Sequence, residues 1–457
     1  MKNTRREFLK TTAAVAAAAS ATPYIFTSSQ AKAADKNSKL TVASIGVGGS
    51  LGTFNRGGTI ARSAAQLGQT IAVCDVVDTH NEEFNKKMGG KLNMYTDYRE
   101  LFAKEKPDVV TIGTPDHWHV PIAIKALESG CHVYCEKPLT LTVDEGKQIT
   151  KVVKETGKIF QVGTQQRTEM KRVFLKAVAV VQSGRLGDNI DAFVAIGGAP
   201  DKGPFKETPV PEGINWDKWL GPAAVAPYME ERRKMFRWFL EYSGGKMTDW
   251  GAHHIDIAQW ALGQGHTGPV SVSGTGTMGS VVPKGFNFVD FFNGKATLPN
   301  GYNAAVTFGI DLKFGNGSNM HVTNHYKSDD GKVDFGNGIL FTGSKGRIFV
   351  NRGKITGAPI ESMTESEQKD LDAAVVKLYN GKEPTSHMAN FFDCIESGEQ
   401  PISDVFTHHR TMTSCHLCNI NLMVGHDLKW DPKKEDFIND KMASALLSRP
   451  SRPEHIS

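Results

Sequence analysis

The stretch from Leu40 to Asp75 constrains this chain most. Leu40 to Ile45 is an alternating, β-branched run, and Gly46-Val47-Gly48-Gly49-Ser50-Leu51-Gly52 follows at once. A helical pattern then covers Thr59 to Leu67, and a second strand pattern from Thr70 to Cys74 ends on Asp75. Glycines let backbone amides approach a pyrophosphate, the following helix start favours its negative charge, and an acid closing the second strand accepts ribose hydroxyls. Strand, turn, helix, strand and acid in this order outweigh an unrelated glycine loop. They predict a dinucleotide site built on Gly46, Gly48, Gly49 and Asp75. The third glycine of the usual spacing falls at Leu51 but stands one place later at Gly52, which predicts a longer turn. The charge of Asp75 repels the additional phosphate of NADP, so NAD is the expected cofactor and NADP the alternative.

The alternation of periods continues with helices Thr79 to Lys87, Tyr98 to Lys104, Val120 to Ser129 and Val143 to Thr156. Strands Val109 to Gly113, His132 to Cys135 and Ile159 to Val162 fall among them, and this order implies a parallel sheet covered on both faces. After Gly163 the texture changes. A helix from Glu169 to Gln182 is followed by β-rich segments at Ile190 to Ile196, Val270 to Thr277, Asn287 to Leu298, Tyr302 to Gly309, Asn319 to Tyr326 and Ile339 to Val350. Turns rather than helices separate most of them, which reads as a mainly antiparallel sheet stacked against the first domain. Helices Ser386 to Glu396 and Thr407 to Val424 close the chain, and Gly263 to Pro269 and Lys354 to Lys382 read as loops or short helices. The fold class is therefore α/β: a Rossmann dinucleotide-binding domain over 39–164, then a C-terminal α+β domain over 165–457.

With 457 residues the chain is too long for one average core, which agrees with two domains. A formal net charge of +4 is slight for this size, and without a basic run or aromatic-basic stripe nucleic acid is not an expected partner. Thr4-Arg5-Arg6-Glu7-Phe8-Leu9-Lys10 precedes an alanine-rich apolar stretch to Ala21, and Ala31-Lys32-Ala33 offers a cleavage site. Residues 1–33 thus resemble a twin-arginine signal peptide, which predicts a periplasmic or otherwise exported protein. The apolar stretch is shorter than the ~20 residues of a spanning helix, so no stable membrane anchor is expected. Cys415-x-x-Cys418 lies on one face of an apolar helix and reads as core packing. No second Cys-x-x-Cys completes a zinc site, and no metal is expected.

Four segments at strand ends or helix starts carry chemistry. Thr114-Pro115-Asp116-His117-Trp118-His119 places Thr114 and Pro115 against the cofactor, with His119 between cofactor and substrate. Metal ligation by His117 and His119 would need further partners. Glu136-Lys137-Pro138 follows the strand His132 to Cys135. There an ammonium stabilises a developing alkoxide, and Glu136 holds a ribose hydroxyl or positions the lysine. Gly163-Thr164-Gln165-Gln166-Arg167 offers polar groups to a polyol, although a connecting loop would look the same. Gly244-Gly245-Lys246-Met247-Thr248-Asp249-Trp250-Gly251-Ala252-His253-His254 continues helically to Leu262. On a helix Asp249 and His253 share a face, setting a carboxylate beside an imidazole, while His254 is turned away by about 100°. Arg167, Trp250 and His254 are the expected substrate-binding residues.

Together Gly46-Val47-Gly48-Gly49, Thr114-Pro115 to His119, Glu136-Lys137-Pro138 and Asp249-x-x-x-His253 resemble the Gfo/Idh/MocA family, whose founders include glucose-fructose oxidoreductase and inositol dehydrogenase. Asn215 to Ala223 and Arg237-Trp238 through Gly245 look like its exported bacterial subgroup. The resemblance implies an open-faced C-terminal sheet that mediates homo-oligomerisation, and it implies that Lys137, Asp249 and His253 are catalytic. The implied activity is NAD(P)-dependent hydride transfer from a hydroxyl of a sugar, polyol or glycoside, and export, away from any exchanging NAD pool, adds the expectation of a tightly held, recycled cofactor. The alternative is an NAD-dependent glycosidase, lyase or epimerase acting through a transient keto-sugar. A non-catalytic periplasmic sugar-binding protein is the third possibility.

Overall fold

A computed structural model describes residues 39–48 and 55–455. Gly49, the shifted Gly52 and the twin-arginine segment lie outside these described residues. Six strands, β1 (Thr41–Ile45), β2 (Gln69–Cys74), β3 (Asn93–Tyr95), β4 (Val109–Ile112), β5 (His132–Cys135) and β6 (Phe160–Val162), form one sheet in the order β3-β2-β1-β4-β5-β6. Every pairing in it is parallel. The order reverses between β1 and β4, and in such sheets the crevice beyond those carboxyl ends receives ligands.

The crevice is shaped by three glycines. The helix Arg56–Leu67 begins with Asn55 accepting from the Gly58 amide. A Cβ on Gly57 would stand 1.7 Å from the Gly46 carbonyl oxygen, and one on Gly113 would stand 2.3 Å from the Gly57 Cα. Gly57 therefore supplies the close helix–strand approach that the third glycine of the shorter motif supplies.

The second sheet contains β7 (Asp191–Ala195), β8 (Pro269–Met278), β9 (Ala305–Phe314) and β10 (Asn319–Thr323). A short ribbon of β11 (Tyr326–Lys327) and β12 (Asp334–Phe335) stands apart from it. The sheet continues with β13 (Gly338–Gly343), β14 (Gly346–Val350), β15 (Ile355–Thr356), β16 (Leu428–Asp431) and β17 (Asp436–Phe437). Its order is β15-β14-β13-β7-β10-β9-β8-β16-β17, antiparallel except for the parallel β7–β10 pair. The helices Val173–Gln182, Gly251–Ala261 and Val405–Val424 bury Val178, Ile255, Leu417 and Cys418 in the same core as Val194, Ile310 and Val322 of the strands. The fully buried Cys415 and Cys418 are members of that core.

Several local expectations need correction. Asn287 to Leu298 contains the helix Phe288–Phe292 rather than a strand; Asn287 caps it, and Phe288, Phe291 and Phe292 meet at helical spacing. Ile339 to Val350 is the hairpin β13–β14, not one strand. The helix expected from Glu169 starts at Val173, because Met170, Lys171 and Arg172 all have positive φ. The region Lys354 to Lys382 contains the long helix Glu365–Leu378, closed by a Thr364/Glu367 capping box.

The C-terminal region also returns to the first sheet. Helix His387–Ser397 buries Met388, Phe391 and Cys394 against Val42, Ile60, Val109, Tyr134 and Ile159. Among the described residues no helix is long and apolar enough to cross a membrane.

Candidate active site

The crevice beyond β1 and β4 opens into a cleft. Gly46, Gly48, Asp75, Thr114, Pro115, His119, Glu136 and Lys137 all line it. The turn after β1 directs the amides of Val47 and Gly48 to one Asp75 carboxylate oxygen, each at 3.1 Å. The other oxygen accepts from the Val77 amide and lies 3.2 Å from His80 Nδ1. Asp75 is thus fixed at the end of β2.

A dinucleotide suits this cradle on two observations. Gly46 has φ +75, and a Cβ there would meet the Thr114 amide nitrogen at 2.6 Å. Thr114 Oγ1 is buried on the cleft wall without a hydrogen-bond partner among the described residues. Gly46→Ala is therefore expected to weaken NAD binding by at least about tenfold, from left-handed strain plus the backbone clash. NAD content of the purified protein and a fluorescence titration of the stripped protein measure this.

Loops after β4 and β5 are bolted together by His119, whose ring nitrogens lie 2.7 Å from the Pro138 carbonyl and 2.9 Å from the Thr114 carbonyl. His117 turns the other way, with Nε2 2.9 Å from the Trp219 carbonyl oxygen, and burial lowers its pKa to about 4. The two imidazoles diverge. Glu136 is buried, accepts from Gln165 and Arg56 at 3.0 Å each, and closely faces Gly163, where a Cβ would meet its carboxyl at 2.8 Å.

A segment at residues 214–219 packs against the loops after β2 and β4 that line the cleft. Ile214 bridges to Val77, and Asn215 donates its amide to the Val76 carbonyl at 3.2 Å. The Trp118 indole donates to the carbonyls of Lys218 and Trp219, and Lys218 Nζ lies 3.5 Å from Asp97. The chain end fastens this segment: Arg452 pairs with Asp217 at 2.6 Å, and the Tyr98 hydroxyl donates to the His455 carbonyl. Lys218, Trp219, Arg233 and His455 thereby join the cleft lining. Sequence reading placed none of these four at the site, although the segment Asn215 to Ala223 had stood out.

At the inner end, Lys137 Nζ donates to Asp249 Oδ1 at 2.6 Å and to the Asp249 carbonyl at 2.9 Å. The Lys137–Pro138 peptide is cis. Asp249 closes the short helix Gly245–Asp249, and a second helix, Gly251–Ala261, begins after Trp250. The expected partnership differs: Asp249 serves Lys137, with Arg237 Nε at 3.8 Å, and makes no hydrogen bond to His253 among the described residues. Burial raises the Asp249 pKa, but Lys137 and Arg237 more than offset it and hold the carboxyl at about 2. His253 is pushed well below the ordinary imidazole value, first by burial and then by the Lys137 charge. Its Nδ1 is buried without a partner among the described residues. The ring is thereby held in its neutral form at neutral pH.

The other expected substrate ligands separate. Trp250 stays at the site, its ring 6.0 Å from that of His253. Arg167 does not: it is buried and grips both Asp256 oxygens at 2.7 and 2.6 Å, and it donates to the Ile402 carbonyl. His254 is fully buried, with Nδ1 3.2 Å from Gln166 Nε2 and Nε2 3.0 Å from Asn337. Arg167 and His254 are thus structural ties, because both side chains are sequestered from any ligand. Sequence reading also missed Arg237, Lys246 and Arg352, long cations from three separate segments whose convergence leaves no local pattern.

Comparison with known proteins agrees with this architecture. Residues 40–164 match the oxidoreductase-family NAD-binding Rossmann fold, and residues 197–278 with 338–456 match the oxidoreductase-family C-terminal alpha/beta domain. Residues 2–22 match the twin-arginine translocation signal, so the chain is exported by that route. The alpha-N-acetylgalactosaminidase of Shewanella oneidensis is 36% identical over 26% of this chain and 27% of its own length. The D-glucoside 3-dehydrogenase of Escherichia coli is 30% identical over 30% of this chain and 40% of its own. The chain thus spans two fifths or less of these curated relatives. The WlbA dehydrogenase from Bordetella pertussis, solved with NADH and UDP-GlcNAcA, shares the fold with a TM-score of 0.57 at 15% identity, covering 86% of this chain and 99% of that one.

Proposed function

The chain belongs to the Gfo/Idh/MocA oxidoreductase family, and from that premise we propose that it oxidises a hydroxyl of a sugar, polyol or glycoside. The observation that carries this reading is the Lys137–Asp249 pair, whose lysine lines the dinucleotide cleft and whose charge reaches a neutral His253. Bound NAD would supply the hydride acceptor, held along Gly46, Gly48, Thr114 and Glu136 with Asp75 toward its ribose. The substrate hydroxyl gives its proton to His253. Lys137, fixed by both oxygens of Asp249 that it contacts, stabilises the alkoxide as it develops. Asp249 remains ionised throughout and keeps the ammonium aimed.

Export shapes the overall reaction. Outside the cytoplasm no exchanging NAD pool is expected, and the cleft wall that Lys218 and Trp219 add, tied down through Arg452 and Asp217, favours a cofactor retained through each turnover. Hydride that leaves must then return. Two sequences satisfy this: oxidation of one sugar coupled to reduction of another, or transient oxidation that acidifies a neighbouring C–H and permits cleavage or epimerisation. Similarity to the alpha-N-acetylgalactosaminidase supports the second. Self-association through the second sheet completes the proposal, with Thr307, Asp311 and Lys313 exposed on β9. An intact Lys137–Asp249 pair weighs against a binding-only role.

The test uses protein exported through its own signal and purified without added nucleotide. NAD is expected to co-purify at close to one equivalent. Free sugars should raise absorbance in the reduced-nicotinamide band, or glycosides should be cleaved with no added cofactor. Protein that carries no NAD, takes up none and changes no sugar or glycoside would sink the reading.

A further inference from the structure

Two cations gather beside the proposed base without an ion pair of their own among the described residues. The Arg352 guanidinium lies 4.5 Å from the centre of the Trp250 ring, and Lys246 Nζ lies 5.8 Å from the same ring. That ring is the one packed edge-on to His253. The neighbouring cations are matched: Lys137 and Arg237 with Asp249, and Arg56 with Glu136 at 3.0 Å. Lys246 and Arg352 form no ion pair among the described residues; Asp249 acts on both of them, and Glu169 on Arg352, only through space. Arg352 donates Nε to Gln166 Oε1 at 3.0 Å, and Gln166 in turn donates to the His253 carbonyl. This fixes the guanidinium to the loop and helix that carry the site. Lys246 is held as well, since its Cε packs where a Cβ on Gly197 would stand 3.1 Å away.

We propose that the substrate is a sugar bearing an anionic substituent, a carboxylate, sulfate or phosphate, which Lys246 and Arg352 receive beside Trp250. The proposal rests on the sugar-oxidising reading and names its substrate class. A planar guanidinium grips two oxygens of an oxyanion, and an ammonium adds a point charge. Packing on an indole satisfies the apolar faces of these side chains but not their N–H groups. The free protein carries the cost of the crowding: burial and then the charges of Arg237 and Lys137 lower the Lys246 pKa despite Asp249, and burial and then Arg56 lower that of Arg352. An arriving anion relieves this repulsion, and a neutral sugar does not.

Calorimetric titration of the full exported protein with its cofactor bound tests the proposal. The probes are methyl β-glucoside, methyl β-glucuronide, glucose 6-sulfate and glucose 6-phosphate. At least one anionic probe should bind about tenfold more tightly than methyl β-glucoside, and the advantage should shrink with added salt. The three anionic arms identify which oxyanion fits. Lys246→Gln and Arg352→Gln should each remove most of the advantage, and Arg352→Lys should restore part of it. Equal or weaker binding of all three anions overturns the proposal, as does an advantage that persists in both glutamine variants. Lys137-dependent oxidation of neutral sugars without anion preference would leave the sugar-oxidising reading standing and remove this one. An anion preference with no hydride transfer from any probe would do the reverse.

Discussion

Lys137→Met is expected to lower hydride transfer by about 10²–10⁴-fold while the protein keeps its fold and its NAD. Methionine preserves much of the side-chain length and removes the charge. The loss falls on the transition state, where negative charge builds on the substrate oxygen, so kcat should drop far more than KM changes. Folding should survive because Asp249 retains Arg237 as a second cation at 3.8 Å, so its carboxylate is not left buried and alone. Single-turnover reduction of bound NAD by an identified substrate gives the rate, and NAD content with circular dichroism gives the control. A variant that reduces NAD within a few-fold of the wild type would remove Lys137 from the chemistry.

Arg167→Met should act on stability, with a loss of about 3–5 kcal/mol. The guanidinium satisfies both Asp256 oxygens and the Ile402 carbonyl in a site sealed from solvent. Removing it strands a buried carboxylate, leaving the Thr411 hydroxyl donating at 3.0 Å. The double variant Arg167→Met/Asp256→Leu should recover much of the loss, because an apolar pair of similar volume carries no desolvation penalty. Urea unfolding of the three proteins measures the difference. Unchanged stability with a raised KM would instead return Arg167 to the substrate.

These two residues also mark what could be read from the sequence. Five strands of the parallel sheet were legible because each is local, while the three-residue edge strand β3 carries too short a pattern to show; the loop after β5 was legible because the fold sends that strand end to the crevice. Helical spacing alone set Asp249 beside His253, whereas its carboxylate pairs with Lys137, a contact between distant segments that spacing cannot show. Arg167 and His254 look like ligands in sequence, because a polar side chain in a loop or helix carries no sign of whether it meets solvent or a buried partner. The cleft wall near Trp219, the Gly57 contact and the Lys246–Arg352 pair depend on contacts between distant segments. The capping box at Thr364 to Glu367 was the exception, a local signal that could have located the helix Glu365–Leu378.

The helix His387–Ser397 bears on how the chain comes off the ribosome. Val42, Ile60, Val109 and Tyr134 belong to the earliest-made sheet and its first helix, yet the residues that cover them are Met388, Phe391 and Cys394. During synthesis this apolar surface waits, uncovered, for more than half of the protein to be made. The nascent nucleotide-binding half is therefore a natural client for a holding chaperone, and a fragment ending near residue 164 should precipitate rather than serve as a miniature of the enzyme. A transport route that accepts only finished, folded cargo suits a protein whose first-made layer is sealed by one of its last.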